Sequence, residues 1–478
     1  MRRPLLVVLL GSLLLICCYL SCYHLPLWKG EVHVTPLDRA SVAKCGTGAL
    51  TADGKTQLTR EPYLQSTTTT SVIVAFGTTA PQSQVVLSEP GGAVVKTVSA
   101  TYAGDPEKAR TRIAAQKSGV VGLTAEDIYV VQGTIEGLEP THLYCYQLIA
   151  EGKPLTELAP LTTATAAGKD AKVQFVALGD TGTGGAAQRA VAQQMSAVPF
   201  EFMVFLGDIA YESGTAKQLQ DYFFAIYRDF LRYVPIYPAI GNHERRTRQG
   251  NPYFEAFVLP GEERYYSFDW ANIHFVAIDT TQRDAKQLVW LDADLANNKL
   301  PWVIVYGHHP MYTNSLRGPQ LWIRQAFSKI LTDHHVDLVL TGHEHGYERF
   351  KVGGVNYVIS GGGGGQLTHF FGTARSLKQA TVHHFLAFEV TASTLTMRAI
   401  NIDGKEIESL KLSKDNKGDV KTKVNDVPDE RTTPIAPEKK VEPDETVHDG
   451  PDDDVQHPKV GPPEPPAPKA PPVSPVLH

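Results

Sequence analysis

From about residue 169 onward, short apolar runs recur along the chain, and most of them are followed within a few residues by a glycine. Six of these runs have the composition of strands, at residues 173–178, 202–206, 236–240, 273–278, 302–306 and 336–340. Apolar residues with helical spacing lie between several of them, at residues 186–196, 217–230, 284–297 and 320–332. The alternation predicts an α/β architecture in layers, with strands that are buried on both faces.

The preceding segment, residues 59–165, alternates apolar and polar positions as half-buried strands do. Helical spacing occurs there only around residues 106–115. The sequence Leu138-Glu139-Pro140, followed by Tyr144, resembles the tyrosine corner of fibronectin type III and immunoglobulin-like sandwiches. We therefore predict a small all-β domain in this segment. Strand patterns return at residues 355–412, where Asp403-Gly404 predicts a hairpin turn.

The chain has 478 residues, which is too long for a single hydrophobic core. We predict a signal segment at 1–22, a linker at 23–58, the all-β domain at 59–165, the α/β domain at 169–412 and a tail at 413–478. The tail has no aromatic residue and is rich in Pro, Asp, Glu and Lys, so we expect it to be disordered. A wall-spanning spacer or an interaction segment is the alternative interpretation of the tail.

The first residues have the layout of a secretory signal, with two arginines before an apolar run at residues 5–20. This run is shorter than the roughly 20 residues that span a bilayer. We therefore predict export, to an extracellular, periplasmic or lipid-anchored location. Leu20-Ser21-Cys22 resembles a bacterial lipoprotein processing site, at which Cys22 would carry the lipid anchor. Export without that anchor is the alternative.

Export also changes the interpretation of the cysteines. Once the signal is removed, and apart from Cys22, only Cys45 and Cys145 remain. An oxidising compartment would permit them to form a disulfide, although an unpaired, buried Cys145 is an equal alternative. The formal net charge of −6 argues against nucleic acid as the main partner, because phosphate-backbone binding needs a basic surface.

Polar residues of the kinds that bind metals follow five of the predicted strands. They are Asp180, then Asp208 with Tyr211, then Asn242 with His243, then His308 with His309, and finally His343 with His345. Each glycine-plus-donor pair alone is more typical of a turn or helix cap. Because the carboxyl ends of strands in an α/β sheet border one crevice, five such ends favour a shared metal site. Seven of these donors suit two metal ions better than one. The run Gly361–365 is either a loop in close approach to this crevice or a plain flexible turn.

The motifs "GDTG", "GDIAY", "GNHE", "GHHP" and "GHEHGYER" resemble those of the purple acid phosphatases, a family within the calcineurin-like metallophosphoesterase superfamily. The resemblance covers about residues 61–412. It implies a two-sheet βαβ metallophosphoesterase sandwich, preceded by a fibronectin type III-like domain as in the plant-type and bacterial two-domain members.

The resemblance also implies the ligand set of a dinuclear centre. Asp180, Tyr211 and His345 would hold Fe(III), and Asn242, His308 and His343 would hold a divalent ion, which is Zn, Mn or Fe. Asp208 would bridge the two ions. Tyr211 favours this family because most other metallophosphoesterases lack the tyrosine, and a phenolate is a hard anionic ligand that favours Fe(III).

The implied function is an exported acid phosphatase that hydrolyses small phosphomonoesters by attack of a metal-bound hydroxide. His243 would contact the phosphate and assist the leaving oxygen; support of Asn242 is its alternative role. A phosphodiesterase or pyrophosphatase on the same metals, or a non-catalytic surface binding protein, are the other hypotheses. The loop after His308 lacks the histidines of many relatives, so Arg317 is its available cation and the proton donor stays open. Glu344 and Glu348 are interpreted as supporting groups.

Overall fold

The structure is a computed structural model, and it describes residues 36–48, 58–78, 82–102, 130–372, 374–414 and 420–426. The predicted signal segment, Cys22, the helical pattern at 106–115 and the chain after residue 426 lie outside the described residues. Within the described part of the chain, no helix is both long enough and apolar enough to cross a membrane.

The N-terminal part consists of two antiparallel sheets packed around a core of their own. Their strands are β1 Leu58–Gln65, β2 Ser71–Thr78, β3 Ser83–Ser88, β4 Val94–Ser99, β5 Thr101–Tyr102, β6 Val130–Glu136, β7 Leu143–Ala150, β8 Lys153–Pro154 and β9 Ala159–Thr162. One sheet has the order β1-β2-β6-β5, and the other has the order β4-β3-β7-β8 with β9 paired to β7. Tyr144 Oη accepts a hydrogen bond from the Glu139 N–H at 3.1 Å, which is the contact that defines a tyrosine corner.

The C-terminal part contains two mixed sheets of seven strands each. Their strands are β10 Lys172–Leu178, β11 Phe202–Phe205, β12 Ile236–Pro238, β13 Tyr266–Trp270, β14 Ile273–Ala277, β15 Trp302–Tyr306, β16 Leu338–Thr341, β17 Tyr347–Val352, β18 Val355–Ser360, β19 Ser376–Ala380, β20 His384–Thr391, β21 Thr394–Asn401, β22 Glu406–Lys414 and β23 Val420–Asp426. The sheet orders are β12-β11-β10-β20-β21-β22-β23 and β13-β14-β15-β16-β18-β17-β19. The mixed α/β fold in layers confirms the predicted fold class.

The parallel pairing of these strands explains why each appears in the sequence as a continuous apolar run. β10, β11 and β12 pair in parallel in one sheet, and β14, β15, β16 and β18 do so in the other. Most of their residues are buried, because strands in a layered sheet are covered on both faces. Gly404 adopts a positive φ of 74° in the turn between β21 and β22, as the hairpin prediction requires. The sheet extends to β23, past the predicted tail boundary at residue 412.

The helices flank these sheets. They are α1 Pro36–Cys45, α2 Ala186–Met195, α3 Ala216–Gln218, the π-helix Leu219–Phe224, α4 Ala225–Leu231, α5 Asn242–Arg245, the 3₁₀ turn Arg248–Gly250, α6 Asn251–Ala256, α7 Ala285–Asn297 and α8 Leu321–Asp333. α1 lies in the segment that the sequence presents as a linker without periodicity. Its last residue, Cys45, forms a disulfide with Cys145 of β7, so the pairing alternative is the one observed.

Candidate metal centre

The five predicted donor segments all leave the carboxyl ends of parallel strands. Those strands are β10, β11 and β12 in one sheet and β15 and β16 in the other. Three of the donors, Asp180, Asp208 and His343, have left-handed backbone conformations, with φ of 59°, 52° and 69°. Such a conformation costs on the order of 1 kcal/mol or more in a residue other than glycine, and it clusters at functional sites. The loops therefore carry strain at the residues that chemistry would use.

The first donor cluster consists of Asp180, Tyr211 and His345. Tyr211 Oη donates to Asp180 Oδ1 at 3.0 Å and lies 3.0 Å from His345 Nε2, which is 3.3 Å from Asp180 Oδ1. His345 Nδ1 is 2.6 Å from the carbonyl oxygen of Gln366, to which it donates its proton. In the neutral ring, Nε2 therefore carries a free lone pair that faces the other two donors.

The second donor cluster consists of Asn242, His308 and His343. Asn242 Oδ1 lies 2.9 Å from His308 Nε2 and 3.2 Å from His343 Nδ1, and these two nitrogens are 3.3 Å apart. His308 Nδ1 donates to the carbonyl oxygen of Leu206 at 2.8 Å, so its Nε2 also presents a lone pair to the cluster. Polar atoms packed this closely, with few protons between them, are typical of a cation site.

Asp208 connects the two clusters. Its Oδ2 is 3.1 Å from His308 Nε2, and carboxylate oxygens of Asp180 and Asp208 lie with a ring nitrogen of His308 within 4.8 Å of one another. Its Oδ1 accepts the backbone N–H of His243 at 2.9 Å. The structure thus brings together all seven predicted metal ligands, with Asp208 in the position that the bridging hypothesis requires.

The electrostatics of the centre fit a pair of cations. Asp180 and Asp208 are buried, and buried carboxylates need positive charge close by. Burial raises the pKa of Asp208, but His308 and His243 outweigh this and hold it well below its usual range. Burial and the carboxylate of Asp180 raise the pKa of Tyr211 well above 10, so the phenol ionises near neutrality only against a cation. Carboxylate, imidazole, amide and phenolate donors suit iron and zinc.

His243 lies beside the seven donors. Its Nδ1 donates to the carbonyl oxygen of Glu212 at 2.7 Å, and its Nε2 lies 3.8 Å from Asp208 Oδ2. Its ring packs edge-on against Tyr211, with centroids 4.5 Å apart. The side chain is therefore held with Nε2 toward the centre, where a substrate oxygen would lie.

Glu244 supports the candidate centre, and the sequence pattern assigns it no role. It is completely buried, and its two carboxylate oxygens accept four backbone N–H groups, from Asp208, Ile209, Ala210 and Gly241, at 2.9–3.1 Å. One side chain therefore ties the loop of Asp208 to the loop of Asn242. A glutamate at the third position of the short helix α5 is the only sequence signal of this contact.

The glycine run after β18 lies in close approach to the centre. A Cβ added to Gly361 would lie 2.6 Å from Asp180 Oδ2, and one added to Gly365 would lie 2.7 Å from the ring of His345. No larger residue fits at either position without displacing a donor. The close-approach interpretation of this run is therefore the one observed.

The loop after His308 is held in place by Glu348, a residue of β17. Glu348 accepts hydrogen bonds from Thr313 Oγ1 at 3.1 Å and from the backbone and side-chain amides of Asn314 at 3.0 and 2.7 Å. Arg317 follows on the exposed side of this loop. Burial lowers the pKa of His343 well below its usual value, and the neighbouring His309 and His308, together with the Arg317 charge, add to this effect. Glu344 is fully buried, next to His343.

Comparisons with known proteins agree with this geometry. The family model for Calcineurin-like phosphoesterase matches residues 173–347. "Probable inactive purple acid phosphatase 9" of Arabidopsis thaliana is 31% identical over 189 residues, which are 30% of this chain and 29% of that relative. Purple acid phosphatase 22 of Arabidopsis thaliana is 32% identical over 202 residues, 37% of this chain and 45% of the relative. This chain thus spans less than half the length of these curated relatives.

The fold comparison covers more of the chain. The structure of a purple acid phosphatase from seeds of yellow lupin, Lupinus luteus, superposes with a TM-score of 0.64 at 19% identity, over 75% of this chain and 74% of the other. Residues 173–347, which carry the donor set, are thus similar to calcineurin-like phosphoesterases, and the fold is similar to that of the lupin enzyme. The relatives with which this chain shares sequence over part of its length include purple acid phosphatases.

Proposed function

We propose that the protein is an exported dinuclear-metal phosphatase that hydrolyses small phosphomonoesters. The observation that carries the proposal is the pair of three-donor clusters joined by Asp208, with the free nitrogen of His243 directed toward them. One of the curated relatives is named as probably inactive. The presence of all seven donors in this chain therefore supports a catalytic role over that of a binding protein.

Each donor has a proposed role. Asp180, Tyr211 and His345 would hold Fe(III), Asn242, His308 and His343 would hold Zn, Mn or Fe(II), and Asp208 would contact both. A bound pair of this kind polarises phosphate oxygens and lowers the pKa of water. In the second cluster, His308 faces Asn242 through Nε2 and His343 faces it through Nδ1. These two nitrogens are therefore the proposed ligand atoms.

The chain's own groups act around the phosphate. His243 Nδ1 is committed to the Glu212 carbonyl, so its protonated ring donates through Nε2 to a phosphate or leaving-group oxygen. Arg317, on the exposed loop that Glu348 anchors, attracts the anionic substrate. Arg317 is exposed, so we assign it the role of attracting the substrate. His243 is assigned the role of proton donor to the leaving group.

Export and the N-terminal domain belong to the same proposal. The Cys45–Cys145 disulfide supports an oxidising compartment, as does the secretory pattern of residues 1–22. Lipidation at Cys22 would add a membrane anchor. The tyrosine-corner hydrogen bond of Tyr144 supports a fibronectin type III-like assignment for the sheets of residues 59–165.

The test is to purify the full chain without residues 1–22 and to measure bound metals, visible absorption and hydrolysis together. We expect two metals per chain and faster hydrolysis of p-nitrophenyl phosphate than of bis(p-nitrophenyl) phosphate. Tyr211→Phe should remove the visible band, because the phenolate–iron contact produces it. His243→Asn should lower kcat by about 10²-fold with both metals retained.

The alternatives have distinct outcomes in the same experiment. Preferred hydrolysis of the diester or of pyrophosphate would replace the monoesterase assignment on the same site. A chain that binds both metals and hydrolyses none of these substrates would be the non-catalytic binding protein. An active but iron-free and colourless chain would overturn the Fe(III) assignment.

A further inference from the structure

His309, the second histidine of "GHHP", lies against the divalent subsite and not away from it. It is buried, its ring centroid is 4.5 Å from that of His343, and the centroid of His308 is 4.9 Å away. One nitrogen from each of His308, His309 and His343 lies within 4.8 Å of the other two. Two ligands bound to one ion at roughly 2.1 Å lie at most about 4.2 Å apart, so a small movement of the His309 ring would bring its nitrogen to ligand spacing.

Thr280, which follows strand β14, orients this ring. Its Oγ1 accepts the backbone N–H of His309 at 2.9 Å and lies 3.1 Å from His309 Nδ1. A hydroxyl oxygen has two lone pairs, so it can accept the backbone N–H and the Nδ1–H together. The Nε2 lone pair is then free. His308 is held in the same way by the Leu206 carbonyl, and metal-binding histidines in general donate their second ring nitrogen to such an acceptor.

We propose that His309 is a further protein ligand of the metal centre, binding the divalent ion through Nε2 beside His308 and His343. The proposal rests on the metal centre of the proposed function and adds a third imidazole to it. A site with three imidazoles, one amide and the shared carboxylate of Asp208 favours Zn²⁺ over Mn²⁺ more than a site with two imidazoles does, because nitrogen donors suit zinc and oxygen donors suit manganese.

The test is His309→Phe in the chain from residue 23 onward, a change that keeps a flat, slightly larger aromatic ring and removes the donor. Dissociation constants for Zn²⁺ and Mn²⁺ are measured by competition with a chromophoric chelator, and the absorption spectrum is recorded with Co²⁺ alone. We expect Zn²⁺ to bind at least about 10-fold more weakly, with a smaller change for Mn²⁺, and the Co²⁺ bands to shift. His334→Phe, remote from the centre and paired with Asp292, is the control and should match the parent protein.

A second variant, Thr280→Val, tests the proposal if the His309→Phe protein does not fold. Thr280→Val keeps the shape of the side chain and removes the acceptor for Nδ1, so Zn²⁺ affinity should fall by about 10-fold. Unchanged Zn²⁺ affinity, within twofold, and an unchanged Co²⁺ spectrum in whichever variant folds would make His309 a packing residue and overturn the proposal. Zinc binding that depends on His309 in a chain without esterase activity would support this inference and reject the proposed function, so the two fail separately.

Discussion

At the scale of single residues, Glu244 determines the geometry of the centre without belonging to the ligand set. Its Oε2 accepts the N–H groups of Asp208 and Gly241, and its Oε1 accepts those of Ile209 and Ala210. A buried carboxylate requires such donors, and the donors in turn hold the left-handed backbone of Asp208 in place.

This contact leads to the first prediction, for Glu244→Gln. In glutamine, an NH₂ group takes the place of one carboxylate oxygen. Because each oxygen accepts two backbone N–H groups, two buried hydrogen bonds are lost. We expect the free energy of unfolding to fall by about 2–4 kcal/mol and the divalent metal to be retained poorly. Urea denaturation and metal analysis measure both effects.

Glu255→Gln is the matched control. Glu255 is exposed and paired with Arg248, so its substitution should change stability by less than about 0.5 kcal/mol. A Glu244→Gln protein as stable as this control, with full metal content, would show that the four backbone donors do not depend on the carboxylate.

At the level of residues, the sequence indicates a position where a strand end determines it, while the roles of those residues stay predictions. Asp180, Asp208 and His343 each follow an apolar run, and the structure brings them to one edge. The orientation of His309 was not predictable, because it depends on Thr280, which is 29 residues earlier in the chain. No local pattern encodes such a contact.

At the scale of elements, the strands were predictable from local sequence patterns, whereas one helix depends on contacts with a distant part of the chain. The bounds of β10, β14 and β15 agree with the apolar runs to within a residue, because burial on both faces leaves a continuous signal. The predicted helix at 217–230 instead contains a π-helix. There Arg60 of β1 stacks on Phe224 at 3.8 Å and donates to Gln220 Oε1 at 2.9 Å. Helical spacing cannot report contacts with a distant strand.

The strand pair β13–β14 and helix α7 share an ionisable contact that predicts a pH dependence. His274 Nδ1 lies 2.7 Å from Asp269 Oδ1, and its Nε2 lies 2.9 Å from Asp294 Oδ2. Burial alone would lower the pKa of His274, but these two carboxylates raise it to about 9. Because the folded pKa exceeds the unfolded value of about 6.5, the contact stabilises fully below pH 6.5 and is lost as pH rises through 9.

The second prediction follows for His274→Gln. The deficit in unfolding free energy relative to the parent protein should be larger by about 2–3 kcal/mol at pH 6 than at pH 10, the sign that the raised pKa requires. Urea denaturation at both values measures the difference, and subtracting the parent protein removes the contributions of other groups. A deficit of equal size at both pH values would contradict a protonated, doubly paired histidine.

At the scale of the whole molecule, the N-terminal sheets and the sheets of the C-terminal part are joined by buried contacts. Tyr63 Oη donates to the Ala256 carbonyl at 2.6 Å, Tyr237 Oη to the Thr67 carbonyl at 2.7 Å, and Tyr146 Oη to the Arg232 carbonyl at 2.8 Å. Tyr63 also belongs to the hydrophobic cluster that fills the C-terminal part. The two proposed domains therefore stabilise each other.

The third prediction is that the N-terminal and C-terminal parts unfold in one calorimetric transition, although chains with two domains often show two. Reduction of the Cys45–Cys145 disulfide should lower the stability by about 2–4 kcal/mol and move the midpoint down without splitting the transition. Cys45→Ser/Cys145→Ser is the control, since its midpoint should match that of the reduced protein and should not respond to reductant. Two separate transitions in the oxidised protein would show that the buried tyrosine contacts do not couple the domains.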